Sequence, residues 1–251
     1  MNARFALATS GCLLALVATS GCGVRKEPTA ATKVDSIRLT LDRNPSPSQL
    51  CFYSAQAANL FSEAGLNVTL APPATPGTAL QDLSSERSML ALASLPQLLI
   101  ARGGGAPFVS VATVLRVPLW RLATHGKPDK VTINYPGMLV VARRSDLSSE
   151  GGVVRRFVQA LARGCSQARS NPAPGLKALA AAPGAGSAKL AAAHLKPVLP
   201  QFAPPKSKPW GWQSPTSWQA TLDWMTAKQL LGNSADPDAG YTNEFLAGQG
   251  L

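Results

Sequence analysis

A chain of 251 residues, 45% of them hydrophobic, has material for one large domain or two small ones. Its formal charge of +11 invites a nucleic-acid reading, but the positive residues are scattered, and pairs such as Arg143-Arg144 and Arg155-Arg156 are too short to make a basic stripe. Arg155 and Arg156 fall opposite the apolar positions Val153, Val154, Phe157, Val158 and Leu161 of one predicted helix, so they read as its solvated face.

The N-terminal residues read as a signal. Arg4 is followed by an apolar run over 5–18, too short for a membrane span, and then by Thr19-Ser20-Gly21-Cys22, which resembles a lipobox. This pattern predicts removal of residues 1–21 and a lipid on Cys22. The alternative is an ordinary secretory signal cut nearby. Residues 22–35 are polar and aperiodic, as a flexible tether would be. Export would leave Cys51 and Cys165 in an oxidising space, where an even number permits a disulfide. Because each falls at a helix end, they are expected here as small buried free thiols.

Ile37, Leu39 and Leu41 alternate with polar residues and predict a strand. Residues 42–48, Asp-Arg-Asn-Pro-Ser-Pro-Ser, cannot hold regular structure. Tyr53, Ala57, Leu60, Phe61 and Ala64 then repeat at helical spacing up to Gly65, and Leu66, Val68 and Leu70 alternate again. In such β-loop-α-β units ligands sit beyond the carboxyl ends of the strands, which places the 42–48 loop and the helix start at 49–53 at a crevice. A helix over 78–85, a buried strand over 89–93, a helix over 97–102 and a strand over 108–117 follow. Beyond a Pro- and Gly-rich stretch come a strand from Met138, a helix over 153–165 and a Pro-broken helix pair over 166–183. The chain continues with an Ala-rich helix over 187–199 and a helix capped by Ser214 and opened by Pro215.

The string LDRNPSPSQLCFYSAQ, with F-x-E-x-G-L-x-V after it, resembles the opening of bacterial ABC-transporter substrate-binding proteins of the thiamine-pyrimidine and aliphatic-sulfonate type. Asp42, Pro45, Tyr53, Ala55 and Gln56 match the family pattern, whereas Arg43, Ser46, Gln49 and Cys51 stand where it has Trp, Asn, His and Gly. ALASLPQLLIARGGGAPFVSVATVLRVPL, YPGMLVVARR and the closing YTNEF extend the likeness over most of 36–122 and 135–246.

The resemblance implies an α/β protein, a three-layer αβα lobe of the type II periplasmic binding proteins. In the family the chain crosses into a second lobe after the hinge strand. From Arg116 to Met138 this sequence is shorter than the roughly 30 residues of one βαβ unit, so the second lobe is expected truncated. The expected organisation is first-lobe units over 36–122, a shortened remnant over 123–137, and a return strand with C-terminal helices over 138–251.

The function implied is a lipid-anchored, extracytoplasmic solute-binding component of an ABC importer. It would take a small polar or heteroaromatic solute, such as a thiamine pyrimidine precursor or a sulfonate. The expected partners are that solute, an ABC permease in the membrane and the lipid bilayer through the anchor, with no nucleic acid and no cofactor, the chain being a monomer. A non-transporting surface lipoprotein with an open crevice is the alternative.

Asp42, Arg43, Ser46, Gln49, Tyr53 and Ser94 are the candidate binding residues, Ser94 lying on the equivalent loop after the third strand. Arg43 could meet a carboxylate, sulfonate or phosphate through both arms of its guanidinium, or Asp42 could cap the turn beside a solvated Arg43. Tyr53 reads as core, and Trp210 and Trp212 as packing between C-terminal helices. Catalysis finds no support: His125 and His194 lie far apart without acidic or thiol neighbours at ligand spacing, and no G-x-S-x-G elbow follows a strand. Gly103-Gly104-Gly105 precedes a strand and has no Gly-Lys-Ser/Thr, so it is no phosphate loop.

Overall fold

The alternating runs assemble into one sheet. A computed structural model describes residues 34–118, 134–231 and 240–250; the signal, Cys22, His125 and most of the expected second-lobe remnant lie outside them. The strands are β1 (Asp35–Thr40), β2 (Leu66–Ala71), β3 (Leu90–Ala93), β4 (Phe108–Leu115) and β5 (Met138–Arg143), in the order β2-β1-β3-β5-β4. β1 runs parallel to β2 and β3, and β5 runs antiparallel to both β3 and β4. β4 therefore ends, and β5 begins, at the sheet edge where β1, β2 and β3 have their carboxyl ends.

Helices cover both faces. Ile37, Leu39, Leu66, Val68, Leu90 and Val140 pack under α1 (Leu50–Ala57), α2 (Leu60–Glu63), α6 (Gly151–Ser170) and α7 (Ala173–Ala180). Ala91, Ala93, Phe108, Leu139 and Val141 face α3 (Ala79–Ser84), α4 (Leu95–Gly103) and α9 (Pro215–Ala227). Two shorter helices, α5 (Arg144–Ser149) and α8 (Ala188–Ala193), flank α6 and α7 in sequence. The expected three-layer αβα lobe is thus observed, with one five-stranded sheet among the described residues. Phe61 and Phe157 stack with centroids 5.3 Å apart beneath α6; burying a side chain of that size contributes about 1.5–3 kcal/mol.

Several expectations need correction. The predicted first helix is two helices, α1 and α2, because Asn59 adopts a left-handed conformation at φ 56° and interrupts the backbone ladder. The predicted helix over 153–165 runs on to Ser170, since nothing before Asn171-Pro172 stops it. The Ala-rich helix over 187–199 shrinks to the six residues of α8, followed by turns.

Cys51 and Cys165 are joined in a disulfide, Cα atoms 4.3 Å apart, not left as free thiols. α1 and α6 cross at that point: a Cβ on Gly164 would lie 2.6 Å from Cys51 O and Ala55 Cβ, so only a glycine admits this approach. Gly175 brings α7 equally near α1, a Cβ there falling 2.1 Å from Ser54 Oγ.

Arg155 and Arg156 are not a solvated face either. Arg155 donates to the carbonyls of Glu244 and Gln249 at 2.7 and 2.9 Å and lies over the Phe245 ring. Arg156 donates to Ala64 O and pairs with Asp35. Other arginines do the same work. Arg143 holds Leu83 O and Ser88 O, Arg102 holds Phe108 O, and Arg116 gathers Pro200, Gln201 and Ala203 carbonyls. Burial lowers the Arg116 guanidinium from its ordinary pKa. Five arginines, Arg102, Arg116, Arg143, Arg155 and Arg156, thus satisfy backbone carbonyl groups.

The outer edge of β4 is covered at Ser110 by residues 240–242 and at Thr113 by Gly211. Tyr241 bridges Ser110, Ser110 N donates to Gly240 O, and Thr242 N donates to Ser110 O, both at 2.9 Å. The buried Gln213 amide reaches Ser110 O and Thr242 O, while Asn243 and Gln213 exchange hydrogen bonds.

Candidate functional site

At the carboxyl end of β1, Leu41 is fully buried and the chain turns out over the sheet edge. Pro45 and Pro47 prevent it from continuing as strand, and Ser46 to Gln49 form a single tight turn before α1. Gln49 is completely buried. Its amide nitrogen donates to Asp42 Oδ1 at 2.7 Å and its amide oxygen accepts from Ser46 N at 2.9 Å. Asp42 Oδ2 accepts from Arg43 Nε at 2.8 Å. The loop is thus closed on itself: Gln49 holds Asp42, and Asp42 holds the root of the Arg43 guanidinium. The Arg43 side chain remains half exposed.

The remaining candidates fall into different places. Ser46 Oγ lies 2.8 Å from the hydroxyl of the buried Ser48. Tyr53 is 3% exposed and packs in the core; burial pushes its phenol up to about 12. It borders a hollow of about 220 Å³ behind Pro45. Ser94 caps α4, where it and Gln97 exchange hydrogen bonds, and its neighbour Leu95 donates to Pro136 O of the returning chain. Asp42, Arg43, Ser46 and Gln49 are therefore one cluster, whereas Tyr53 and Ser94 stand apart from it.

Outside the 43–48 loop runs a groove of about 490 Å³. Arg43, Ser46 and Ser48 line one side. The other side is Leu179 of α7, Leu190 and Ala191 of α8, and His194 and Val198 in the turns after it. No pattern in the sequence singled out this second wall. Its signal is faint: an Ala-rich segment in which Leu190, 54% exposed, is the one large apolar residue of α8. Trp210 and Trp212 pack partly buried against the core, with Lys208 over the Trp212 ring, and take no part in the groove. No cluster of metal-binding side chains occurs among the described residues, and no described helix is long and apolar enough to cross a membrane.

A one-sheet αβα lobe with a groove at the carboxyl ends of its parallel strands is the lobe architecture of the periplasmic-binding-protein fold. The comparisons agree. Residues 46–128 match the family model described as NMT1/THI5 like. The formylaminopyrimidine-binding protein of Halalkalibacterium halodurans is 30% identical over 115 residues, 43% of this chain and 35% of that protein, so the chain matches about a third of that relative's length.

Two solved structures share the fold. The alkanesulfonate-binding protein SsuA of Xanthomonas axonopodis pv. citri, bound to MOPS, superposes with a TM-score of 0.59 at 13% identity, over 84% of this chain and 99% of that one. The periplasmic aliphatic sulphonate binding protein SsuA of Escherichia coli gives 0.59 at 12% identity, over 81% and 96%. The resemblance to substrate-binding proteins read from the sequence is borne out, and the proteins it leads to are binding proteins.

Proposed function

We propose that this chain is the solute-binding component of an ABC-type importer, working outside the cytoplasm and held to the membrane through Cys22. The observation that carries this reading is the groove beside the 42–49 loop, at the sheet edge where the fold places ligands. Arg43 and Ser46 would touch the solute, Asp42 and Gln49 would keep the loop in shape, and Ser94 and Tyr53 would support the same edge from α4 and α1. The solute classes taken by the relatives, an aminopyrimidine and an alkanesulfonate, are the first to try.

The test is a thermal-shift screen of the mature protein against pyrimidines, sulfonates and amino acids. Binding by one class, confirmed by calorimetry, supports the reading; a flat response across all three sinks it. The single sheet among the described residues favours one second reading, a non-transporting surface lipoprotein with an open crevice. A flat screen together with capture of a protein partner would support it.

A further inference from the structure

We infer that the layer from Lys177 to Lys208 is a docking face for an anionic phospholipid surface. This is a contact of the folded domain itself, beyond solute binding and separate from any lipid on Cys22.

Positive charge is divided by residue type. Arginines are engaged within the fold: five satisfy backbone carbonyls, and Arg43, Arg87 and Arg163 pair with Asp42, Asp82 and Glu63. Lysines are gathered instead. Among the described residues every lysine but Lys228 lies between 177 and 208, namely Lys177, Lys189, Lys196, Lys206 and Lys208. Standing singly along the chain, they form no basic run, yet all five are exposed. No aspartate or glutamate occurs over 151–222, and none of the five lysines forms an ion pair among the described residues.

The stretch is one layer. Leu179 of α7, Ala191 of α8, and Leu195, Val198 and Phe202 after it are buried in the same core. α7 and α8 touch, and the short 3-10 turn Leu199–Phe202 rests on α6. With its apolar side chains turned inward, this layer leaves its lysines to the water.

The face offers charge without shape. An ammonium on a four-carbon stem is a mobile point charge and meets phosphate as one, whereas paired recognition of a carboxylate draws on the fixed fork of arginine. Five such charges on separate turns, with no counter-charge between them, match headgroups that can move to meet them. A protein partner would need acids placed to fit. Each lysine near an anionic surface raises partition roughly fivefold, so three engaged at once give about a hundredfold. A chain held at Cys22, as proposed above, would have this face beside a bilayer.

The experiment is vesicle cosedimentation of the mature protein carrying Cys22→Ser, which removes the acceptor of a lipid. Vesicles are phosphatidylcholine alone or in equal parts with phosphatidylglycerol, and poly-L-glutamate serves as a soluble polyanion. The expected partition to the mixed vesicles is about tenfold or more above that to phosphatidylcholine, and is lost as salt rises from about 0.05 to about 0.5 M. Lys196→Glu should weaken it about fivefold or more, whereas Lys228→Glu, the same change in net charge elsewhere, should alter it less than about twofold. The side chains are exposed, so melting temperatures should match the parent. If Lys196→Glu melts early, Lys177→Glu with Lys206→Glu decides in its place.

Equal partition to both vesicles overturns the inference. So does an equal loss from Lys196→Glu and Lys228→Glu, which would reduce the effect to net charge. Binding of poly-L-glutamate that depends on Lys196, without binding to vesicles, overturns it in favour of an acidic protein partner. Each of these outcomes leaves solute binding and anchoring at Cys22 standing, and a flat solute screen leaves the docking face standing.

Discussion

The two walls of the groove are built by different means. The 42–49 wall is the visible end of a rigid assembly: Gln49 leads into α1, and α1 is tied to α6 by the Cys51–Cys165 disulfide and pressed against Gly164 and Gly175. The opposite wall is a six-residue helix and a run of turns, with Leu190 open to water. One side of the site is held by covalent and steric constraint, the other by a handful of apolar contacts. If the groove takes a solute, the fixed wall would set where its polar group goes, and the other wall could be small and tolerant.

Substitutions should separate the walls. The largest effect is expected from removing the disulfide. It closes a sequence separation of 114 residues, and Cys51→Ala with Cys165→Ala should cost about 4 kcal/mol. That corresponds to roughly 8–16 °C in melting temperature for a chain of this size, read by circular dichroism with and without reductant. Gly164→Ala comes next, at about 2 kcal/mol, because overpacking against Cys51 O and Ala55 outweighs the gain in helix propensity.

Gln49→Ala should cost about 1–3 kcal/mol by leaving Asp42 and Ser46 N without their partner. It should also weaken any ligand that depends on Arg43. Asp82→Asn is smaller, under about 1 kcal/mol at neutral pH. Although partial burial pushes the Asp82 carboxyl up, hydrogen bonds from Arg87 and Thr40 bring it below its ordinary pKa. Its contribution is therefore complete above about pH 4 and is lost as pH falls through the lowered value. Denaturation curves of the two proteins should converge on acidification. Substitutions confined to α8, such as Leu190→Asp, should stay within about 0.5 kcal/mol of the parent; a destabilisation as large as that of Gly164→Ala would erase the distinction between the walls.

The strands and most helices were legible because Ile37, Leu39 and Leu41, or Trp218, Leu222 and Met225, carry their period on their face. The 42–49 loop was legible as a position, not as a network. Proline spacing shows that the loop leaves the sheet, but nothing local tells that Gln49 turns inward to Asp42, seven residues before it. The disulfide hid for a related reason: parity allows a bridge between cysteines 114 residues apart, whereas only the α1–α6 crossing brings them together. Arg155 and Arg156 misled because a helical wheel separates wet from dry within one helix and cannot anticipate a carbonyl arriving from Glu244 or Ala64. The α8 wall has no motif at all.

The tail lying along β4 has a bearing on how this molecule can be made. At Ser110 that strand stays a template for other chains until Gly240 and Thr242 pair with it, and Arg155 secures that cover through Glu244 and Gln249. The sheet edge at Ser110 is therefore sealed only once residues 240–242 have been made.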